Sequence, residues 1–175
     1  EQRARIETHR YALPGVVTNL TPHRLYVEAD RAAHVLGSIG QIGSKELESP
    51  DFVGYRAGEV IGKDGMEARF ESHLRGTPGG RNVVVDVAGQ EVEIIAEVDP
   101  VPGGRLVLTL DLDLQRVAEQ AFRSEDPQQP DPMGALVAMD PRNGEVLALV
   151  SRPAYDPNAF SGGIDTATWN ALISD

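Results

Sequence analysis

The sequence predicts an α+β fold in two parts, a strand-rich module over residues 1–104 and a strand, helix and hairpin over residues 105–175. Three observations carry this. Residues 105–150 read as a strand, an amphipathic helix, and two apolar runs either side of Asp140-Pro141-Arg142-Asn143-Gly144. In the first part, two β-branched runs flank the turn pair Ala88-Gly89. Between the parts, Asp99-Pro100-Val101-Pro102-Gly103-Gly104 is turn punctuation, and the domain boundary is placed there. With 41% apolar residues a core can form, and with 5% aromatics that core must be aliphatic.

Taken in order, residues 1–22 read as a mixed, partly extended segment. Arg24 to Ile42 predicts a short strand, a helical turn around Arg31 to His34, and a second strand through Ser38 and Ile39. Residues 43–61 carry little periodicity and read as a loop with one helical turn. Met66, Phe70 and Leu74 fall at i, i+4 and i+8, one stripe of a helix, which Gly76 and Pro78 stop. The hairpin around Ala88-Gly89 follows. Beyond the boundary, Asp111 or Asp113 can cap a helix whose apolar face is Leu114, Val117, Ala118, Ala121 and Phe122. Residues 124–133 are a polar loop broken by Pro. Ala135–Met139 and Val146–Val150 are apolar at every position, so the hairpin they form is expected to be covered on both faces. Pro141 suits the first central position of a type I turn, and Gly144 a positive-φ bulge. Asp165 to Ile173 reads as a short helix carrying Trp169.

Charge and motifs narrow the chemistry. A net charge of −11 without a basic cluster argues against nucleic acid, whose binding needs phosphate neutralisation. Without Cys there is neither a disulfide framework nor a thiolate metal site. His9, His23, His34 and His73 are scattered, so no metal site is assigned; His34 reads as a structural histidine between two strands. Gly76 to Arg81 is Gly-rich but lacks the Lys-Ser/Thr ending of a phosphate-binding loop. Lys63-Asp64-Gly65 reads as a helix start, and Asn19-Leu20-Thr21 matches a glycosylation sequon too common to weigh. No Gly-x-Ser-x-Gly elbow and no Ser-x-x-Lys pair occurs. Catalytic, cofactor-binding and metal residues are therefore all assigned as none. No apolar run reaches the ~20 residues of a membrane helix. The chain opens without Met at Glu1-Gln2-Arg3 and reads as an excised piece, with any anchor expected upstream.

Four blocks resemble the class B penicillin-binding proteins. They are Leu13-Pro14-Gly15-Val16-Val17 with Arg24 to Gly40; Ile61 to Gly80, carrying Gly62, Gly65, Glu67, Phe70-Glu71 and Leu74-Arg75-Gly76; Leu106 to Phe122, carrying Thr109, Asp111 and Leu114-Gln115; and Gly134 to Phe160. Gly162 to Leu172 is most similar to the elongation-type branch, penicillin-binding protein 2. Val27 departs from the family, which usually has Pro there.

The resemblance implies a pedestal of the dimerisation type over 1–104. It further implies that 105–175 opens a serine-transpeptidase, β-lactamase-like α/β sandwich, ending before the family's Ser-x-x-Lys. The whole protein would be a membrane-anchored, periplasmic D,D-transpeptidase crosslinking peptidoglycan in cell-wall elongation and cell shape. Its partners would be stem peptides and β-lactams at the active site, and a glycosyltransferase and a periplasmic scaffold protein at the pedestal. No cofactor, metal or nucleic acid is called for. No family catalytic residue maps onto this chain, so the chain itself would position rather than react. The alternative is a self-standing extracytoplasmic interaction domain without enzymatic role. An open apolar strand edge also allows a strand-exchanged dimer.

Overall fold

The computed structural model describes residues 2–9, 16, 23–87, 91–164 and 166–173. They pack as two compact units. One comprises Glu1–Pro22 with Gly76–Gly103, the other His23–Arg75 with Gly104–Asp175. The fold is α+β, and every sheet is a two-stranded antiparallel ladder among the described residues.

In the first unit, helix α1 (Gln2–Thr8) opens the segment 1–22 that was read as mixed and partly extended, and beyond it only residues 9 and 16 of that segment are described. Its end is closed locally, with Thr8 Oγ1 donating to Ala4 O at 2.7 Å. The sequon at Asn19 lies outside the described residues. The expected β-branched hairpin is present. Its strands span Gly80–Val85 and Glu91–Val98 and become β3 and β4 in chain order, pairing from Gly80↔Val98 to Val85↔Glu91. Its Ala88-Gly89 turn lies outside the described residues. Below the ladder, Thr77 and Val101 exchange both backbone hydrogen bonds, at 2.8 and 2.9 Å.

The second unit opens at Arg24–Tyr26, where a short strand was expected. No strand forms, because the backbone of Tyr26 is paired by a side chain instead (below). Helix α2 (Ala33–Leu36) is the expected helical turn, shifted two residues onward. β1 (Ile39–Gln41) pairs with β2 (Val60–Gly62), Ile39 opposite Gly62. The stretch read as a loop therefore ends in a strand. Within it lie α3 (Ser44–Leu47) and a 3-10 turn, Pro50–Phe52. The first is held by Gly43 N donating to Glu46 Oε2 at 2.6 Å.

The Met66/Phe70/Leu74 helix is two pieces, α4 (Gly65–Arg69) and α5 (Glu71–Leu74), broken where Phe70 leaves helical geometry at φ −114°. The stripe survives the break, since Phe70 N still bonds Met66 O and Leu74 N bonds Phe70 O. Lys63-Asp64-Gly65 is indeed a helix start, with Asp64 at the N-cap position.

Helix α6 (Leu112–Gln120) is capped by Asp111, whose carboxylate accepts from Asp113 N and Leu114 N. Asp113 is not a cap; it pairs with Arg116 at 3.1 Å. Residues 105–110 were expected as a strand but carry no ladder. Thr109 Oγ1 donates to Val146 O at 2.7 Å and Asp111 N to Leu147 O at 2.8 Å, tying the segment by single bonds.

The hairpin of β5 (Gly134–Met139) and β6 (Val146–Arg152) forms as read, with a bulge at Ala138/Met139 and Gly144 at φ 80°. Asp140 Oδ1 accepts from Arg142 N at 2.9 Å, fixing the turn. Ala148 and Val150 are buried with Ala118 of α6, and Phe122, Leu136 and Ala138 pack against them. The opposite face is not covered among the described residues, and Val137 and Met139 are more than half exposed. The chain closes with α7 (Asn158–Ser161) and α8 (Thr166–Ile173).

The helix face differs from the reading. Leu114 and Val117 are exposed, while Gln115, Ala118 and Glu119 are buried. The inward polar groups have partners there, which hydrophobic periodicity cannot register.

Candidate functional site, a polar junction

Residues that carry the family resemblance meet at one place in the second unit. There the segment 23–75 joins the α6 and β6 layer through three sets of contacts.

The first is centred on Glu67 of α4. Its carboxylate is 11% exposed and accepts from Arg24 Nη2 at 2.8 Å and from the Tyr26 hydroxyl at 3.3 Å. Burial, reinforced by the Glu67 charge, pushes the Tyr26 hydroxyl well above the ordinary phenol range. Tyr26 N donates to Asn158 Oδ1, and Asn158 Nδ2 donates to Tyr26 O, both at 2.9 Å. A side-chain amide thus does what a neighbouring strand would do. Asp156 Oδ1 steadies it, accepting from Asn158 N at 2.9 Å and Asn158 Nδ2 at 2.8 Å.

The second is centred on Glu119 of α6, with 8% of its side chain exposed. Oε1 accepts from Ala32 N at 3.0 Å and Gln115 Nε2 at 2.8 Å. Ala32 offers that N–H from left-handed backbone, φ 51°. Oε2 lies 3.4 Å from Arg31 Nε and 3.6 Å from Arg152 Nη2. The Arg31 approach is a charge contact without hydrogen-bond geometry, and Nε is buried without a hydrogen-bond partner. Arg152 also reaches Asp30 at 3.1 Å, Arg31 pairs with Glu28, and Arg116 reaches Glu28 at 3.0 Å. Three guanidinium groups therefore face Glu28, Asp30 and Glu119, with the exposed Asp113 also on Arg116. Gln115 completes it by clasping the Leu149 backbone of β6, with Nε2 to Leu149 O and Leu149 N to Oε1, both 2.8 Å.

The third is aromatic. His34 lies on α2, the helical turn expected there, and its Nε2 pairs with Pro153 O at 3.0 Å. Its ring meets Tyr155 edge-on at 5.1 Å, and Tyr155 meets Phe160 at 5.6 Å. Phe160 in turn meets Trp169 of α8 at 6.5 Å.

Beside the junction, the Glu71 carboxylate accepts from Gly62 N at 2.7 Å and Tyr55 OH at 3.2 Å, tying α5 to β2. The Arg75 guanidinium lies 3.4 Å from the centre of the Tyr55 ring and donates to Glu59 at 2.5 Å. Lys63 Nζ is engaged by both Glu46 oxygens, at 2.6 and 2.8 Å. That pairing, then the Gly43 N–H, holds the Glu46 carboxyl below its usual range.

Chemically, the junction is a set of matched fixed charges. Each of its carboxylates has an arginine or an N–H against it, an arrangement that holds position. Among the described residues no three His, Cys, Asp or Glu side chains gather to hold a metal. His34 and His73 bind separate backbone carbonyls, Pro153 O and Arg105 O. Sequence reading did not pick out Glu67, Glu119, Arg31, Arg152 or Asn158 as a network; their only signal was membership of the four resemblance blocks.

Burial also raises the hydroxyls of Tyr55 and Tyr155, each next to a carboxylate, Glu71 and Asp64. Folded tyrosines that hold their protons longer than unfolded ones bind more protons in the folded state, so stability must fall as pH rises. We expect stability to be level through neutrality and to decline once pH passes the unfolded tyrosine value of about 10. Urea midpoints from pH 7 to 11 check this, and Tyr26→Phe should flatten the alkaline slope.

The chain is a member of the penicillin-binding proteins. The model for the penicillin-binding protein dimerisation domain matches residues 1–108, and that for the penicillin-binding protein transpeptidase domain matches residues 134–175. Within the class it is 40% identical over 169 residues to the peptidoglycan D,D-transpeptidase MrdA of Acinetobacter baumannii, covering 97% of this chain and 24% of that protein. It is 36% identical over 178 residues to MrdA of Escherichia coli, covering 99% and 27%. Among solved structures, it matches a chain of a peptidoglycan synthase complex, described for its coordination of polymerization and crosslinking. The TM-score is 0.78 at 32% identity, covering 99% of this chain and 31% of that one. It also matches a chain of the complex between PBP2 and MreC from Helicobacter pylori, with TM-score 0.73 at 30% identity, covering 98% and 31%. The chain spans about a quarter of the length of the curated relatives it matches.

Proposed function

We propose that the polypeptide carrying this chain is a serine-type peptidoglycan D,D-transpeptidase of cell-wall elongation and cell shape. In this reading residues 1–104 are its pedestal and residues 105–175 open its transpeptidase domain. The observation that carries the reading is the 40% identity to a D,D-transpeptidase, sustained over 97% of the chain. In support, the dimerisation and transpeptidase models match in that order along it.

The catalytic Ser-x-x-Lys is contributed from outside these residues, so this chain positions and does not react. The Ser would attack a D-Ala-D-Ala stem peptide, release D-Ala and pass the acyl group to an amine; β-lactams would acylate the same Ser. The pedestal is the part that contacts a scaffold protein and a glycosyltransferase, a reading supported by the likeness to chains of the PBP2–MreC complex and of the peptidoglycan synthase complex. Among the described residues no helix is long and apolar enough to cross a membrane. Anchoring at the periplasmic face of the inner membrane is assigned to a segment upstream of Glu1.

A fluorescent penicillin tests the reading. It should label the full-length polypeptide covalently and leave the 175-residue chain unlabelled. Labelling of the short chain would place a reactive serine within it and overturn the division of labour; failure to label the full-length protein would overturn the activity.

A further inference from the structure

We propose that Asn158 is a positioning residue for the acylating serine, carrying the placement of residues 23–75 into the segment that leads to it. The inference rests on the transpeptidase reading above. Its basis is the geometry of one clamp.

Asn158 joins two stretches of chain 132 residues apart with hydrogen bonds in both directions, Tyr26 N to Oδ1 and Nδ2 to Tyr26 O. On the far side of the clamp, Tyr26 is 7% exposed and its hydroxyl is fastened to Glu67, which Arg24 also holds. A shift of α4 therefore moves Tyr26, and the Tyr26 backbone takes Asn158 with it. On the near side, Asn158 is the first residue of α7. From there Phe160 stacks edge-on against Trp169 of α8, the helix that follows. Asp156 removes the remaining slack, since its Oδ1 accepts from both the backbone and the side-chain nitrogen of Asn158.

The neighbouring clasp, Gln115 on Leu149, has the same two-way geometry. It joins α6 to β6 inside one layer. Asn158 instead spans from the segment 23–75 to the start of α7, so the two amides hold different things. The clamp is also sensitive in a way packing is not. A two-point amide fixes both distance and direction, and displacement of a nucleophile by 1 Å can cost on the order of a hundredfold in rate.

The test uses the full-length protein and the acylation kinetics of a fluorescent penicillin, measured well below each variant's unfolding midpoint. Asn158→Ala should slow the acylation step about tenfold or more while leaving the noncovalent dissociation constant of the penicillin within about twofold. Asn158→Asp has the same shape and keeps the acceptor for Tyr26 N, but it loses the donor to Tyr26 O and sets a second carboxylate against Asp156, so it should slow acylation at least as much as alanine. Asp140→Ala serves as the control. It loosens the β5–β6 turn and should lower stability without slowing acylation.

Acylation by a folded Asn158→Ala or Asn158→Asp protein within twofold of the unmodified rate overturns the proposal. So does equal slowing in Asp140→Ala, which would show that lost stability alone explains the effect. If neither variant folds, Asn158→Ser, which is uncharged beside Asp156, decides by the same twofold criterion. A full-length unmodified protein that is not labelled at all defeats the transpeptidase reading instead, so the two failures are told apart.

Discussion

Replacing Glu119 by Ala is expected to cost about 3–5 kcal/mol of unfolding free energy, the usual consequence of removing one partner from a buried ion pair. The penalty has three sources. The guanidinium groups of Arg31 and Arg152 lose the carboxylate they share, and Arg152 is only 14% exposed, so water cannot replace it fully. Ala32 N loses its acceptor at a backbone position with no helical partner to offer. Gln115 Nε2 loses one of its two acceptors and is left with Leu149 O. Glu119→Gln should cost less, because an amide oxygen still accepts from Ala32 and Gln115, although its NH2 group then faces the Arg31 and Arg152 guanidinium groups. Urea unfolding of both variants checks the ordering, and a midpoint fall on the order of 10 °C in a thermal scan should accompany the alanine variant. A loss below about 1 kcal/mol would mean that the cluster behaves as an exposed ion pair and is not a structural hub.

Gly37→Ala is expected to be comparably severe, at about 3 kcal/mol or more, for a reason unrelated to charge. Gly37 ends α2 at φ 82°, and a Cβ there would lie 1.9 Å from Asp64 O and 2.3 Å from Asp64 C. Those are backbone atoms at the start of α4, so no side chain can swing aside. Gly65 leans back against the same spot, and its own Cβ would lie 2.7 Å from Gly37 N. Closeness of the two helix ends is what lets Ser38 Oγ donate to Asp64 Oδ2 at 3.0 Å and Lys63 N to Ser38 O at 2.8 Å. Gly58→Ala is the natural comparison, since Gly58 has a similar φ of 89° and nothing within 4 Å of its Cβ. It should show the conformational cost alone, about 1–2 kcal/mol. Equal losses in the two variants would remove the steric half of the argument.

What could be read from the sequence was what depends on neighbours in sequence. The turn Asp140–Gly144, the Asp111 cap and the Met66/Phe70/Leu74 stripe each need only residues within a turn or two, and each appears in the structure. Two of the departures share one cause. Leu114 and Val117 were assigned to the buried face because they are apolar, but Gln115 and Glu119 took that face because Leu149 and Ala32 supply partners from distant sequence. A short strand was expected at the start of Arg24 to Ile42, yet the backbone partner of Tyr26 is a single amide 132 residues away. A long-range polar contact has no periodicity to betray it. The four resemblance blocks pointed to these residues, but pattern matching could not say that they touch.

The clasp of Gln115 on Leu149 has a consequence for assembly. A strand with unpaired backbone groups is a template for any other strand, in the same chain or another. On its outer side β6 has Leu149 stoppered by a side-chain amide and Leu147 O taken by Asp111 N, so that margin is closed to newcomers. The outer margin of β5 has no partner strand among the described residues. The two-stranded layer is therefore polarised. It can be extended in one direction only, and whatever strand joins it, from further along the polypeptide or from a second molecule, must arrive beside Gly134–Met139.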